Sequence, residues 1–562
     1  MSIRSDENAE RLEHFSNRIL ETIWESNPVG ATVLGIHKYD NTLGDVSASA
    51  INEFCRSLRD SIAALQTDID PSLLDVEQEL NRQLAIALAH SNLIMFEQQR
   101  SWENNPSIYS SQAVWGCLSL LMRHPGSPQD MLHLMLERMR EIPEMLSISK
   151  ENIRNPASVF VQIALGVNMG ALSFFRDELP AIAAGSGLEG DVLAASVNVI
   201  TAFESYDEWL RNEVLPNAHG NFAVGSDVYE QMLLREHCLP FTASDLARLG
   251  TRVLHETQER IAEVARAIDP STSWPDLISR LKHEHPSKEG LVDAYREAFE
   301  SARDFIIERD LVSIPEGACL TVGTTPEVER NVMPYAAYFP PAPFGNDRTG
   351  CLWVTPIDET ASEKQQEAQL LEHCIYSIPI IALHEGFPGH HLQLTRAMDS
   401  PYPLRRQMLN SLLMEGWALY CEELMQDQGF YADPRIELFQ LKDMLWRACR
   451  VIIDVGLHTG GMTFDEAVAM LVDKACIDEA CAAAEVRRYS MSPTQPMTYV
   501  VGKLMLLDLR DQMKRKLGSR FNLKEFHDEF LSFGSIPPPL IIERMTGEAE
   551  CSRSTAPILR SA

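Results

Sequence analysis

Between Ile380 and Met398 the chain reads IIALHEGFPGHHLQLTRAM, which places His384, Glu385, His390 and His391 within eight positions. Imidazole nitrogens and carboxylate oxygens are ordinary zinc ligands, and a carboxylate beside a ligand can act as general base. The HExxH arrangement sets two histidines one turn apart on one helix face. Here the second histidine comes six or seven positions on, with Pro388 and Gly389 in between. On a regular helix, position i+6 is rotated by about 240° from i. Position i+7 lies about 10.5 Å further along, too far for two ligand bonds of about 2 Å each. A break is therefore required. Pro388 cannot donate to the carbonyl of His384, and Gly389 tolerates unusual dihedrals. Looping out two residues would bring His390 into the i+4 place, and looping out three would do the same for His391. The smaller distortion favours His390, with His391 as the alternative ligand or as a pocket wall. The competing reading is that these histidines only cap or pack a kinked helix.

A third ligand has to come from another element. In residues 413–425, LMEGWALYCEELM, Glu415 sits among Leu413, Met414, Trp417 and Leu419. A carboxylate in such an apolar helix is costly unless paired or metal-bound. The expected site is thus His384, His390 and Glu415 around one divalent ion, with a coordination position left open. Zinc is the first expectation, iron or manganese the alternatives. Glu385 is the expected base. Glu422 and Glu423, about two turns beyond Glu415, are candidates to hold a ligand histidine or to form a solvated acidic face.

The elements that must position these groups are mostly helices. Residues 129–148 carry Leu132, Met135, Leu136, Met139, Ile142 and Met145 at three- and four-residue steps, one face of a helix. Similar patterns recur from residue 5 to 516. Ser244 and Asp433-Pro434 read as helix starts. Two short strands, Ala318–Thr325 and Cys351–Pro356, flank a Pro-rich loop at Tyr338–Gly350. The expected fold class is mainly α with a small mid-chain β-sheet. With 562 residues, more than one subdomain is expected. Three prolines in 267–290 place the boundary there. This gives an N-terminal helical part at 1–266, a catalytic helical part with the sheet at 291–546, and a flexible tail at 547–562.

The net charge of −31, from 80 acidic and 49 basic residues, argues against a nucleic-acid partner. The eleven cysteines match no zinc or redox spacing and suggest a reducing compartment. The N-terminus has no apolar leader, and no apolar run approaches the roughly 18 residues of a membrane span. A cytoplasmic protein without a membrane partner is expected. Its oligomeric state is not legible.

HEGFPGHHLQ followed by EGWALYCEEL resembles the bacterial family called domain of unknown function 885 (DUF885). Arg450 with DVGLH (Asp454–His458), EVRRY (Glu485–Tyr489), the Pro493, Gln495, Tyr499 and Gly502 pattern, and PVGATVLGIHKYD (28–40) extend the resemblance over nearly the whole chain. After DVGLH the family more often has Gly-Trp, where this chain has Gly461-Met462. The family is similar to helical gluzincin metallopeptidases of the carboxypeptidase Taq and oligopeptidase kind. That likeness implies a multi-helix metallopeptidase-like fold with a deep central cleft and a His-His-Glu metal site.

The chemistry expected of such a site is hydrolysis of an amide bond in a short peptide or amino-acid-derived molecule. Tyr489, Tyr499 and His458 are candidate donors to the oxyanion. Arg488, or its neighbour Arg487, would grip a substrate carboxylate, with Gln495 as a further substrate contact, and a surface arginine is the competing reading. Two histidines and a carboxylate also form the facial triad of non-haem iron enzymes. Glu385 argues for hydrolysis instead, since an oxygenase needs no base beside its ligand. A metal-free binding scaffold is the remaining alternative, disfavoured because every expected ligand position is filled.

Overall fold

The computed structural model describes residues 3–325, 330 and 336–547, and its described residues are mainly helical with one small sheet. They fall into two compact units, Met1–Val224 with Ala342–Asn346, and Gly225–Pro341 with Asp347–Ala562. The division therefore lies at 224/225 and not in the Pro-rich 267–290 segment. The physical reason is the Ala243–Ile268 helix, which packs along Pro434–Thr459 in the second unit. The two approach closely at Gly250, where a Cβ would lie 2.9 Å from the Ile452 side chain. The expected 547–562 tail lies, beyond Gly547, outside the described residues.

In the first unit, Ser127 and Asp130 form a capping box that starts the Pro128–Asn152 helix. All six apolar residues of its predicted stripe are buried in a core shared with the Ser107–Arg123, Ser158–Ser173 and Glu189–Trp209 helices. The stretch Ser158–Ile182 is long and apolar enough to cross a membrane by length and composition, although Gln162 and Asn168 interrupt its apolar run. Val161, Ala164, Leu165, Ala171, Phe174, Phe175 and Leu179 spend much of that apolarity in the core.

In the second unit, the Ala243–Ile268 helix is capped by Thr242 with Asp245, two residues before the predicted start at Ser244. Asp433 does cap Pro434–Thr459, with Pro434 in the first turn. The sheet has order β1-β3-β2, with β1 Cys319–Thr324 parallel to β3 Thr349–Val354 and β2 Ala336–Phe339 antiparallel to it. Sequence reading found β1 and most of β3 but put Tyr338 and Phe339 in a loop. Leu352 and Val354 of β3 pack with Tyr295, Phe299, Ile378 and Ala382, so the sheet lies against the helix that ends in His384 and Glu385.

Two glycines set the approach of the remaining site helices, Ser411–Asp427 and Thr498–Leu517. A Cβ on Gly416 would come within 2.5 Å of the Gly502 Cα, and one on Gly502 within 2.0 Å of the Leu412 carbonyl. The EGW and Y-x-x-G motifs are thus the two sides of one helix crossing, beside which Glu415 and Tyr499 sit.

Candidate metal centre

The Ile378–Glu385 helix stops at Glu385, and a second helix, His390–Ala397, begins at His390. The hydrogen-bond ladder records the excess between them. Gly389 donates to the Leu383 carbonyl at 2.9 Å and Leu392 to Gly386 at 3.3 Å, each six residues back in place of four. The chain therefore carries a two-residue excess, as a break between two helices and not as a bulge within one. Gly389 has no room for a side chain, since a Cβ would stand 1.9 Å from the His384 carbonyl. The Pro388 carbonyl, freed from any helix, accepts from Trp417 Nε1 at 2.7 Å.

This geometry brings His384, His390 and Glu415 together, one ligand atom from each lying within 4.8 Å of the others. His390 Nε2 is 3.3 Å and His384 Nε2 3.8 Å from the same oxygen, Glu415 Oε2. The two imidazole rings stand nearly perpendicular, at 89°. His384 Nδ1 is bound to Glu422 Oε1 at 2.8 Å, which leaves Nε2 facing the cluster. Glu422, 1% exposed, also lies 3.5 Å from Arg447. Of the two acidic candidates, then, Glu422 holds the histidine, while Glu423 pairs with Lys503 at 2.6 Å.

The charges of these side chains act on one another at close range. Burial works against a charged His384, yet Glu415 and Glu422 push it up to about 10. Burial would raise the Glu415 carboxyl, but His390 and His384 hold it well below the usual range. Two nitrogens and one carboxylate converging this way form a set that fits a zinc-type ion, which would compete with protons for the same lone pairs. The buried Nδ1 of His390 has no hydrogen-bond partner among the described residues.

His391 does not join the cluster. It is fully buried with Nδ1 on the Tyr338 hydroxyl at 2.9 Å and its ring edge-on to Phe387. Burial pushes its imidazole down to about 4. A Cβ on Gly350 of β3 would meet His391 Nδ1 at 2.6 Å, so the sheet leans directly on this ring. The cluster thus takes His390, the favoured of the two, and His391 lies apart from it on Tyr338. Tyr338 was missed because its strand reads as a loop.

Glu385 is half-buried and makes no hydrogen bond or ion pair with another described residue. Tyr499 likewise has a hydroxyl without a hydrogen bond among the described residues. Its ring lies under the Arg450 guanidinium at 4.7 Å, and burial, with the Glu415 carboxylate adding to it, raises its phenol.

Tyr489 and His458 are placed otherwise than expected. The Tyr489 hydroxyl accepts from Arg450 at 2.8 Å and Trp446 at 3.0 Å and gives its proton to Glu485 at 2.6 Å. No donor remains for an oxyanion. His458 is fully buried with Nε2 on the Tyr489 carbonyl at 2.9 Å, and burial pushes it down to about 4. Both belong to the scaffold of the site. Asp454, in the same motif, accepts from Tyr229 at 2.8 Å and from the Thr494 N–H at 3.1 Å, and burial pushes its carboxyl up to about 7. Met462, the departure from the family pattern, covers Gly456 of this helix, where a Cβ would lie 2.7 Å from the Met462 Cβ.

Arg488 keeps 39% of its side chain exposed and binds Glu485 at 2.8 Å and Gln495 at 3.3 Å. Arg450 reaches the same Glu485 at 3.1 Å, so two guanidinium groups share one carboxylate beside Tyr499. Sequence reading assigned no role to Glu485, Arg447 or Tyr229. Only Glu485, inside the EVRRY motif, gave a signal. A cavity of about 390 Å³ is lined by Glu422, Glu423, Lys503, Arg260 and neighbours, and by none of His384, His390 and Glu415.

The profile for a bacterial protein of unknown function, DUF885, matches residues 28–545. No curated protein matches the chain. A solved structure described as "a putative lipoprotein of unknown function" from Shewanella oneidensis is 26% identical, with a TM-score of 0.80 over 95% of this chain and 99% of that one. A second, described as "the putative lipoprotein" from Colwellia psychrerythraea, is 18% identical with a TM-score of 0.81, covering 96% and 99%, and shows the fold alone. The profile runs from the PVGATVLGIHKYD segment, through the broken histidine helix and the Gly416–Gly502 crossing, to within a few residues of the last described position, and the chain belongs to the DUF885 family.

Proposed function

We propose that this protein is a metal-dependent hydrolase with a metallopeptidase-like helical fold, cleaving an amide bond in a short peptide or amino-acid-derived molecule in a deep central groove. The observation that carries the reading is the convergence of His384, His390 and Glu415, with an unengaged carboxylate, Glu385, adjoining a ligand. A divalent ion held by these three residues, zinc first, would supply a Lewis acid that acidifies water and polarises a carbonyl.

The chain's own residues divide the rest of the work. Glu385 takes the proton of the attacking water and passes it to the departing nitrogen. Tyr499, whose hydroxyl has no hydrogen bond among the described residues, donates to the oxygen that gains charge in the transition state. Glu422 fixes the tautomer and direction of His384 through its Nδ1. Arg450 and Arg488 outnumber the carboxylate they share, so the corner beside Tyr499 favours a substrate carboxylate. Arg488, the exposed member, makes the contact, with Gln495 orienting it. No nucleic-acid or membrane partner is proposed.

The test is a short-peptide library offered to the zinc-loaded chain as free acids and as matched C-terminal amides. Cleavage of the acids, with amides slower by about tenfold or more as expected for one lost charge-assisted contact, supports the reading. Equal cleavage removes the arginine contact. Turnover only with iron and oxygen would replace hydrolysis by oxygen chemistry.

For location, the described cysteines are all free thiols, in accord with a reducing compartment, and we retain the cytoplasm as the proposed site. The two solved neighbours are described as putative lipoproteins, which points away from the cytoplasm. Fractionation of native cells, with the chain found in the membrane pellet, would overturn the cytoplasmic assignment.

A further inference from the structure

A second cluster lies in the first unit. His37 opens the short turn His37–Tyr39, Asp40 closes it, and His124 follows the Ser107–Arg123 helix. One ligand atom from each of the three lies within 4.8 Å of the others. His37 Nδ1 is 2.9 Å and His124 Nδ1 3.5 Å from the same oxygen, Asp40 Oδ2. Ligand atoms sharing one tetrahedral zinc stand about 3.3 Å apart, given bonds of about 2.0–2.1 Å. The two observed spacings bracket that value.

The other carboxylate oxygen is occupied differently. Asp40 Oδ1 accepts from Thr32 Oγ1 at 2.6 Å and lies 3.9 Å from the buried Arg138 guanidinium. Arg138 does not depend on Asp40 for its hydrogen bonds. It donates to the Gly116 carbonyl at 2.7 Å and to Thr32 Oγ1 at 2.7 Å. Oδ2 is thus left to the two imidazoles. A plain capping role accounts for His37, which bonds Asp40 across one turn. It does not account for His124, whose side chain is 12% exposed and whose two ring nitrogens are both buried without a hydrogen-bond partner among the described residues. Buried polar atoms of that kind call for an explanation, and a bound ion between the two rings supplies one.

We propose that His37, Asp40 and His124 form a second metal site, for a single zinc-type transition cation, separate from the His384 cluster. Two imidazoles and one carboxylate oxygen select such an ion over magnesium or calcium, which require mostly oxygen. His37 is 32% exposed at its side chain, so the ion has a route in from solvent. The site joins a turn near the N-terminus to the segment that follows a helix far along the chain. Binding there stabilises the fold of this unit, because the unfolded chain has no such preformed site. Arg138 is a nearby positive charge and makes this the weaker of the two sites.

The experiment uses the full chain, without a histidine tag, carrying Glu415→Ala to disable the other cluster. Zinc is titrated against a chelating dye, and thermal unfolding is followed with and without zinc. The expected result is one remaining zinc per chain and a melting temperature raised by zinc. Both should vanish on adding His124→Ala, whereas adding the rim variant His37→Ala instead should lower the zinc affinity at least tenfold and shrink the melting shift. His37 lies largely outside the core, so its variant keeps the test valid if His124→Ala does not fold. No zinc on the Glu415→Ala chain, or unchanged zinc binding in the His37→Ala chain, would overturn the second site. Neither result bears on the His384 cluster or on hydrolysis.

Discussion

His390→Ala should lose one equivalent of bound zinc relative to the parent chain, while His391→Ala keeps it. The two residues are adjacent, yet the helix that begins at His390 sends them to different neighbours. His390 Nε2 faces Glu415 at 3.3 Å, whereas His391 Nδ1 faces Tyr338 at 2.9 Å. Removing a ligand should weaken zinc by more than the tenfold to hundredfold typical of groups one layer further out. His391→Ala should instead lower stability by about 1–3 kcal/mol, through lost packing and the unpartnered Tyr338 hydroxyl. Dye competition and thermal unfolding on both variants check this pair of outcomes. A zinc-loaded His390→Ala and a zinc-depleted His391→Ala would reverse the assignment.

Glu385→Gln should retain its zinc and lose turnover by about a hundredfold or more, the usual size of a positioned general base. The side chain makes no ion pair that the amide would break, and its neighbours on the helix are unchanged by an isosteric replacement. Metal content and kcat on the same preparation separate the two roles. Loss of zinc would make Glu385 a ligand, and full activity would remove it from the chemistry.

Much of this site could be read from residue types and spacing. His384 and His390 followed from the helix arithmetic, because a six-residue separation with Pro388-Gly389 inside leaves few other ways to share an ion. Glu415 followed from the cost of a carboxylate among Leu413, Met414 and Trp417. Periodicity likewise located the Pro128–Asn152 and Pro434–Thr459 helices.

What stayed hidden was long-range. That Tyr489 spends its proton on Glu485 depends on the Pro434–Thr459 and Glu479–Met491 helices meeting, which no local pattern records. The Tyr338 partner of His391 was hidden for the same reason, since it lies in β2, whose place is set by pairing with β3. The unit boundary was misjudged because prolines mark local turns and not the packing of Ala243–Ile268 on its distant partner. The two-residue break was foreseen in size, but its form as two separate helices rests on hydrogen bonds reaching six residues back.

The most direct measurement is anomalous scattering at the zinc edge from crystals of the zinc-loaded chain. A peak is expected at about 2.0–2.2 Å from His384 Nε2, His390 Nε2 and a Glu415 oxygen, with His391 remaining on Tyr338. Zinc bound elsewhere in the same crystals with no peak among these three atoms, or a peak ligated by His391, would contradict the account.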